Sequence, residues 1–560
     1  MIGNASPLWL LATVSGLAGT AAASCEPELA FHPPKYGDGD LRDAFAHIKG
    51  RIESAFSAGE YNDTSISVEI ASSTDTLFSY HHTASVRPPG GGGGTPRVDG
   101  STAYRVASTT KLFTALGIFQ QEKAGRLRLD DPVSEYVAGL PGGNIDWERV
   151  TIRRLIAHLS GIRNDYLLKS LETSRLVFPP DTAVSYSNTG YDLLGLVLSN
   201  VTGLPYEDYI TSSILEPLGM NGTSFETPDE ARGVVVGNSD WGVDHGSGNA
   251  AGGMYSTTSD MIRFLQFALR NHGDVSATTD WFLPTAYSPG SHSAMGYPWE
   301  IFRATAFSSK PAAPLSPSSS SSGGGRPVTV LTKGGGLDGY YSYSVVIPAY
   351  DLVVFMAAGG QLPLLNVAFA AVREELAAEA EAVAQEQLAA GYAGTYAAVG
   401  GDGEDGRTGM NSTLVLGHES GGRSLFVEGW VSNSTDVLAA LTPLVAAQAG
   451  AAAEDLYFQV IPTFRTRVVG PGDDGRGGRV GEVWRFINVL ADEGKKKNGN
   501  GNDTSGGNEW GDYCIGNVDP LKYAGLPLNE LVFWRDGGKE GGSEVDEVEL
   551  TAFNITLVRT

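Results

Sequence analysis

The chain has 560 residues and a formal net charge of −25, from 39 Lys and Arg against 64 Asp and Glu. This length exceeds what one hydrophobic core usually holds, so we expect two domains. The negative charge argues against binding to nucleic acid or to an anionic membrane surface, since both would repel the chain.

The N-terminus carries an apolar run, "LWLLATVSGLAGTAAA", at residues 8–23. The run is too short to span a bilayer, and it ends in small residues that suit signal peptidase. It departs from the usual pattern because no Lys or Arg precedes it. We predict a cleaved signal peptide over residues 1–23 and a secreted protein without a membrane span, with a buried N-terminal helix as the alternative.

Glycosylation sequons and cysteines fit the same compartment. Downstream of the apolar run, seven Asn-x-Ser/Thr sequons begin at Asn62, Asn200, Asn221, Asn411, Asn433, Asn502 and Asn554. Beside a signal peptide they predict a eukaryotic secreted glycoprotein. The two cysteines, Cys25 and Cys514, could form a disulfide in an oxidising compartment, and two unrelated thiols are the alternative. No Cys-x-x-Cys or His-Glu-x-x-His spacing occurs, so we predict no metal site and no cofactor.

The part of the chain up to about residue 390 alternates between strand and helix patterns. Two short strands are predicted over 65–72 and 76–84, and a flexible Gly-rich insert over 87–97 follows them. From 112 to 275, five segments place apolar residues three and four apart, as helices do. Strands resume with "VTVLTKGGG" and "YYSYSVVIPAYDLVVFMAA" after a Ser/Pro/Gly-rich stretch at 308–327 that we predict to be a disordered loop.

The order of these elements suggests two domains. A strong helix is predicted over 364–390, and strands at both ends of a helical middle suggest one α/β domain over 24–390. From Gly391 the sequence changes to short alternating runs between Gly-rich loops. We predict a separate β-rich domain over 391–560, with a disordered insert at 493–509.

The segment "VASTTKLFTALGIF", residues 106–119, contains the one Ser-x-x-Lys of the chain, Ser108 and Lys111. A serine three residues before a lysine on a helix shares a face with it, so the amine can accept the hydroxyl proton. Serine is also a favoured N-cap before an apolar helix. On these residues alone, a nucleophile and a capping serine are both possible.

Two segments downstream contain further polar motifs. They are Tyr186-Ser187-Asn188 in "SYSNTGYDLLG" and Lys333-Gly334-Gly335 in "LTKGGGLDGYYSYS". With Ser-x-x-Lys in this order, the chain resembles the serine β-lactamase and penicillin-binding-protein family, most closely class C β-lactamases and the related esterases and DD-peptidases. The segments "TIRRLIAHLSGI", "EPLGMNGTSF", "AAGGMYSTTSDMIRF" and "GYPWEI" extend the resemblance over about 40–390. The signal peptide and sequons make the chain most like secreted fungal β-lactamase-like proteins.

This resemblance implies a fold and a reaction. The fold would be the α/β β-lactamase/transpeptidase-like one, an antiparallel sheet flanked by helices with a helical subdomain. Ser108 would attack the acyl carbonyl of a small-molecule substrate and form an acyl-enzyme. Lys111 and Tyr186 would share the work of the general base, and Lys333 would supply positive charge that favours phenolate at Tyr186.

The resemblance also implies the groups that bind substrate. Asn188 would donate its side-chain amide to a substrate carbonyl. The oxyanion hole would come from the backbone N–H groups of Ser108 and Gly336, on the strand edge next to Gly335. His158 is better interpreted as a structural histidine than as a triad member, and no Gly-x-Ser-x-Gly occurs in the chain.

One departure from the family pattern bears on the substrate. The third motif of the family begins with a lysine, here Lys333. In the β-lactamases the next residue is usually Thr, whereas in this chain it is Gly334. The hydroxyl that helps to hold the antibiotic carboxylate is therefore missing, while the backbone donors remain. We favour an ester, an amide or a D-amino-acid-type peptide as substrate. An acyltransferase of the same fold, a true β-lactamase and a non-catalytic binding protein are the alternatives.

Overall fold

The computed structural model of the chain describes residues 31–86, 94–141, 143–164, 171, 175–288, 293–305, 327–398, 411–418, 424–449, 452–469, 479–490, 522–523, 525–535 and 545–560. The signal-peptide segment, most of the insert at 87–97, the loop at 308–326 and the insert at 493–509 lie outside these residues. The chain divides into two compact units: residues 35–310 with 327–380, and residues 1–34, 311–326 and 381–560. The domain boundary at residue 390 stays a prediction from the sequence.

The first unit contains the helices predicted from periodicity, together with short strands. Its helices are α1 (Arg42–Ser57), α2 (Thr110–Lys123), α3 (Ile152–Ile156), α4 (Asn188–Thr202), α5 (Tyr206–Ile210), α6 (Asn249–Gly252), α7 (Thr258–Asn271) and α8 (Leu362–Ala371), and α9 (Ala377–Tyr392) begins in it. Its strands are β1 (Ser65–Ala71), β2 (Thr76–His82), β3 (Tyr104–Arg105), β4 (Tyr255–Ser256), β5 (Ala286–Tyr287), β6 (Ser293–Met295), β7 (Glu300–Thr305), β8 (Pro327–Leu337), β9 (Tyr340–Ile347) and β10 (Leu352–Gly359). The five helices expected over 112–275 are confirmed, although α3 and α5 are each only five residues long.

Eight strands form one antiparallel sheet in the order β2-β1-β10-β9-β8-β7-β6-β5, while β3 pairs with β4 separately. The central strands β1 and β10 are buried along their whole length, and both are rich in apolar and β-branched residues. Successive side chains of a strand point to opposite faces, so β10 must be covered on both faces. Helix α7 packs on β1 and β10, and α8 packs on β9 and β10.

The core on one face of this sheet is built around aromatic side chains. Phe113 of α2 stacks on Phe264 of α7 with ring centroids 3.9 Å apart, and Trp281 lies 6.0 Å from Phe264. These rings belong to one continuous buried cluster that includes Phe355 of β10. The predicted fold class, an antiparallel sheet with flanking helices and a helical middle segment, is confirmed for this unit.

In its described residues, the second unit is a β structure with one α-helix between its strands. Its strands are β11 (Gly394–Ala397), β12 (Thr413–Gly417), β13 (Leu425–Ser432), β14 (Thr435–Asp436), β15 (Leu456–Val469), β16 (Arg479–Leu490), β17 (Lys522–Tyr523), β18 (Leu526–Pro527), β19 (Glu530–Arg535), β20 (Glu547–Leu550) and β21 (Ile555–Arg559), and its helix is α10 (Val437–Ala449). The prediction of a β-rich C-terminal region is confirmed.

Pairing between the ends of the sheet closes it into a barrel. The order is β12-β11-β21-β20-β19-β16-β15-β13-β14, and β12 also pairs with β13. All neighbouring pairs are antiparallel, and β11 pairs with β21 near the C-terminus. Taken around the barrel, the eight long strands follow one another in chain order, which is an up-and-down barrel. Closure leaves no free sheet edge among these eight strands.

Candidate active site

Ser108 lies in a short 3-10 turn, Ala107–Thr109, between β3 and α2. Ala107 has φ 51°, a left-handed backbone conformation that costs a residue with a Cβ about 1–2 kcal/mol. Ser108 Oγ accepts a hydrogen bond from Lys111 Nζ at 3.1 Å. No side-chain capping hydrogen bond occurs at the start of the turn or of α2, so the interpretation of Ser108 as a capping serine is wrong.

Lys111 is fully buried one turn further along the chain. Besides Ser108 Oγ, its Nζ donates to Asn188 Oδ1 at 2.7 Å and to the carbonyl of Ala251 at 2.6 Å. Burial lowers the pKa of Lys111, the negative character of Tyr186 raises it in part, and the charge of Lys333 lowers it again, so that the pKa lies below its usual range. A lowered pKa increases the fraction of neutral amine, which is the form that accepts a proton.

The second motif is positioned by the start of α4. Ser187 is the N-cap residue, and its Oγ accepts a hydrogen bond from the N–H of Gly190 at 2.9 Å. The N–H of Ser187 donates to His158 Nδ1 at 3.1 Å. This cap places Asn188 in the first turn of the helix, beside Lys111, and leaves Tyr186 in extended chain just before it.

Tyr186 lies between two lysines and a histidine. Its ring stacks on His158 with centroids 4.3 Å apart, and the Nζ atoms of Lys111 and Lys333 lie 5.0 and 5.2 Å from its ring centroid. Burial acts to raise the pKa of Tyr186, but the charges of both lysines and hydrogen bonds with Ser108 and Lys111 outweigh it and hold the pKa below its usual value. The phenol is thereby prepared to lose its proton.

His158 supports this arrangement as a neutral side chain. Burial, followed by the charges of Lys111 and Lys333, lowers the pKa of His158 far below its usual value. Because its Nδ1 accepts the Ser187 N–H, the ring proton is on Nε2. The ring therefore contributes shape and a hydrogen-bond acceptor at this position, and no charge.

Lys333 reaches the same site from β8. It is 1% exposed, and its Nζ donates to Glu300 Oε1 at 2.8 Å and to the Gly334 carbonyl at 2.7 Å. Burial acts to lower the pKa of Lys333, but Glu300 and then Tyr186 raise it by more, so the pKa lies above its usual value. Lys333 therefore stays positively charged while Lys111 is driven toward the neutral form.

One edge of β8 is open beside the serine. Strand β7 pairs with β8 only as far as Glu300 opposite Thr332, and from Lys333 onward β8 pairs with β9 alone among the described strands. The N–H of Gly334 donates to Glu300 Oε2 at 3.2 Å, on the β7 side. Alternate residues of a strand direct their N–H groups to the same edge, so the N–H of Gly336 also faces the open side.

Gly335 allows β8 to approach the turn that carries Ser108. A Cβ on Gly335 would lie 2.3 Å from the carbonyl oxygen of Val106 and 2.5 Å from Ser342 Oγ. Only glycine fits this contact. The motif residues Ser108, Lys111, Tyr186, Asn188 and Lys333 and the glycines of β8 are thus brought to one place by α2, α4 and the sheet.

Two known sequence families match this chain. The sequence profile of the family described as "Beta-lactamase" matches residues 79–379, more than half of the chain. The chain belongs to the β-lactamase family. A second profile, described as "Beta-lactamase-like-like, C-terminal domain", matches residues 384–560.

Relatives from fungi share most of the chain. "Probable hydrolase M10" of Phoma sp. is 31% identical over 96% of this chain and 92% of its own length. "Probable hydrolase clz13" of Cochliobolus lunatus is 31% identical over 98% and 94%, and a "Beta-lactamase-like protein" of Arthroderma benhamiae is 26% identical over 89% and 88%. The predicted family and the serine-hydrolase type of enzyme are confirmed.

Solved structures of lower identity also match part of the chain. A β-lactamase/D-alanine carboxypeptidase from Yersinia pestis is 20% identical with a TM-score of 0.46, over 61% of this chain and 97% of its own. A D-stereospecific amidohydrolase from Streptomyces sp. is 22% identical with a TM-score of 0.42, over 58% and 98%.

The β-lactamase-type site also contains a residue that sequence reasoning missed. Glu300 pairs with Lys333 and accepts the N–H of Gly334. It lies in "GYPWEI", a segment used above only for the family resemblance. The contact depends on the register between β7 and β8, which places Glu300 opposite Thr332 and cannot be obtained from spacing along the chain.

Other predicted sites lie at the surface or outside the described residues. Cys25, Cys514 and Asn502 lie outside them, so the disulfide and that sequon stay predictions. The asparagines of the other six sequons are all exposed: Asn62, Asn200, Asn221, Asn411, Asn433 and Asn554. Among the described residues, no helix is long and apolar enough to cross a membrane, and no cluster of three His, Cys, Asp or Glu side chains could hold a metal ion.

Proposed function

We propose that the protein is a secreted serine hydrolase that cleaves a small ester, amide or D-amino-acid-type peptide through an acyl-enzyme on Ser108. The observation that carries this proposal is the contact of Ser108 Oγ with Lys111 Nζ at 3.1 Å. Among the described residues, the oxygens that Lys111 contacts belong to Ser108, Asn188, Ala251 and Tyr186. None of them is a carboxylate, and burial lowers the pKa of Lys111. This lysine is placed to accept a proton, which a surface lysine in an ion pair is not.

The reaction would proceed in two halves. Ser108 Oγ attacks the carbonyl carbon while its proton passes to the coupled pair of Lys111 and Tyr186. The N–H groups of Ser108 and Gly336 bind the oxyanion of the tetrahedral intermediate. The C–O or C–N bond then breaks, the leaving group takes the proton back from the pair, and water releases the acid by the same steps.

The third motif guides the choice of substrate. Gly334 has no hydroxyl to offer to a carboxylate at the position where the β-lactamases use Thr, and Gly336 is exposed on the open edge of β8. The contribution of this strand edge to acyl transfer is its backbone N–H donors, which do not depend on a side chain at residue 334. For this reason we favour esters, amides and D-amino-acid peptides over β-lactams.

Labelling of the nucleophile tests the reaction. A fluorophosphonate probe is expected to label the purified full-length protein, and Ser108→Ala should abolish the labelling because the nucleophilic oxygen is gone. Ser54→Ala, at an exposed serine of α1, is the matched control and should label like the wild type. Labelling of Ser108→Ala at the wild-type rate would contradict the assignment of the nucleophile.

Secretion is supported by the N-terminal apolar run and by the exposed asparagines of six sequons. Expression in a fungal host should give medium protein that begins at Ser24 and loses mass on treatment with an endoglycosidase. Peptide mapping without reductant should recover the Cys25 and Cys514 peptides as one species. Retention of residues 1–23 on intracellular, unglycosylated protein would exclude secretion.

A further inference from the structure

Beside the catalytic set lie buried N–H donors that have no acceptor. Arg105 is 1% exposed and Trp241 is 5% exposed, and His245 is half-buried. Among the described residues, no hydrogen-bond partner exists for Nε and Nη2 of Arg105, for Nε1 of Trp241 or for Nε2 of His245. Buried polar groups are almost always paired in folded proteins, so this concentration of unpaired groups calls for an explanation.

The three side chains are neighbours. The guanidinium of Arg105 lies 4.4 Å from the centroid of the Tyr255 ring, and Trp241 packs edge-on against the same ring at 5.1 Å. His245 is close enough to Arg105 that, after burial, the charge of Arg105 is the next cause that lowers its pKa. Together they form a donor cluster, which we define as Arg105, Trp241 and His245.

The donor cluster adjoins the catalytic residues along two segments of chain. Arg105 ends β3, three residues before Ser108. His245 precedes α6, in which Ala251 supplies the carbonyl that accepts from Lys111. A Cβ on Gly252 would lie 3.5 Å from the carbonyl carbon of Ala107, so the two segments pack against each other next to the serine.

Within the described part of the chain, the donor cluster combines unpaired N–H groups with the charge of Arg105. Arginine remains protonated in proteins, and a buried N–H left unpaired costs roughly 1–3 kcal/mol, more when it is charged. No acidic side chain of the described residues forms an ion pair with Arg105. The nearby carboxylates of Asp240 and Asp244 accept from the backbone N–H groups of Asp338 and Gly246. Water could accept the hydrogen bonds, whereas an anion would accept them and also pair directly with the guanidinium.

We propose that the donor cluster binds a carboxylate carried by the substrate, at a distance from the scissile carbonyl. A planar guanidinium binds a carboxylate through two parallel hydrogen bonds, and indole and imidazole N–H groups add further donors. The inference rests on the proposed hydrolase activity and narrows its substrate to the ester or amide of an acid that has a second, free carboxylate. It also gives this chain a carboxylate contact in place of the one that Gly334 cannot make.

Two esters of similar size test the proposal: p-nitrophenyl butyrate, which is neutral, and mono-p-nitrophenyl glutarate, which has a free carboxylate. Arg105→Gln should raise KM for the glutarate ester by about 10-fold or more, as expected for loss of hydrogen bonds between charged groups. Its kcat/KM for the butyrate ester should stay close to wild type. Trp241→Phe should change the glutarate KM in the same direction by less. Arg232→Gln, at an exposed arginine of the same region, is the matched control.

A second arm identifies the source of the carboxylate and covers a failure of the first. If free glutarate raises the Tm of the wild type but not of Arg105→Gln, and the variant affects both esters alike, the site takes a free carboxylate and the substrate form of the proposal is overturned. Equal losses on both esters with equal Tm shifts, or no change at all, overturn the site altogether. Fluorophosphonate labelling is independent of these readouts, so failure of the hydrolase proposal would be seen separately. If Arg105→Gln does not fold, Trp241→Phe is used in its place, with the same comparisons of KM on the two esters and of the Tm shift with glutarate.

Discussion

The pKa values of the two candidate bases, Lys111 and Tyr186, depend on the charge of Lys333. Lys333 lowers the pKa of Tyr186 and also that of Lys111, while Glu300 keeps Lys333 protonated. A base acts only when it is deprotonated, so lowering both pKa values keeps more of the active form near neutral pH. Lys111 and Tyr186 interact, so their titration belongs to the pair and not to either residue alone. The charge of Lys333 therefore lowers the apparent pKa of the base whichever of the two groups accepts the serine proton.

We therefore predict that Lys333→Met moves the ascending limb of the pH profile of kcat/KM to higher pH. Loss of the positive charge raises the pKa values of Tyr186 and Lys111, and the remaining carboxylate of Glu300 adds to this rise. At pH 7 less of the base is deprotonated, so kcat/KM falls, and part of the loss returns at pH 9. The measurement is hydrolysis of p-nitrophenyl acetate between about pH 5.5 and 9.5.

Lys333→Arg is the control that conserves the charge. It keeps a positive group beside Tyr186, so the ascending limb should not move to higher pH. A Lys333→Met profile that is lowered by one constant factor at every pH would limit Lys333 to binding substrate and would contradict its effect on the base.

At the scale of residues, the sequence identifies the residues that react but not the side chains that surround them. Ser108, Lys111 and the motif around Tyr186 could be identified because the chemistry requires these residue types at short, fixed spacings. Glu300 and Arg105 could not, because their significance depends on strand register and on which neighbours lack a partner. Neither property has a signature along the chain.

At the scale of elements, the glycines of β8 have different steric freedom. A Cβ on Gly335 would lie 2.3 Å from the Val106 carbonyl, whereas the nearest atom to a Cβ on Gly336 is a ring carbon of Tyr341 at 3.7 Å. The first contact is with backbone next to Ser108 and cannot be relieved by rotating a side chain. The second is an ordinary van der Waals distance.

We predict that Gly335→Ala lowers kcat/KM by at least about 100-fold, because β8 must move away from the turn of Ser108 and an error of about 1 Å has that effect. Gly336→Ala keeps its backbone N–H and should remain within about 10-fold of wild type, since an oxyanion donor is retained. Both are measured as kcat/KM on a p-nitrophenyl ester, with far-UV circular dichroism to verify folding. Equal activity of the two variants would contradict this account of β8.

Elements with strong local signals were predicted correctly, and those fixed by distant pairing were not. Helix α7 has its N-cap at Thr257 and a clear apolar face, and it was expected. Helix α10 was missed, because it is rich in Ala and Leu on all sides and contains Pro443. Closure of the barrel was missed as well, since it requires β11 to pair with β21 across more than 150 residues.

At the scale of the whole molecule, each unit has a hydrophobic core of its own. Trp281 is fully buried in the first unit, against Phe264 and Trp299. Trp484 is fully buried in the barrel, with its ring 5.5 Å from that of Phe533. These two tryptophans belong to separate sets of contacts, so their removal should act on separate unfolding events.

We predict that Trp484→Ala destabilises the barrel by about 3–5 kcal/mol through the cavity it leaves. Its rate of fluorophosphonate labelling at 25 °C should stay within about two-fold of wild type, because no contact of the catalytic residues is changed. Trp281→Ala, the matched substitution in the catalytic core, should slow labelling and lower the other unfolding transition. Differential scanning calorimetry and labelling kinetics on the full-length variants separate the two effects. If Trp484→Ala lowers both transitions together and abolishes labelling, the two cores fold as one cooperative unit, and the barrel is required for the catalytic site to form.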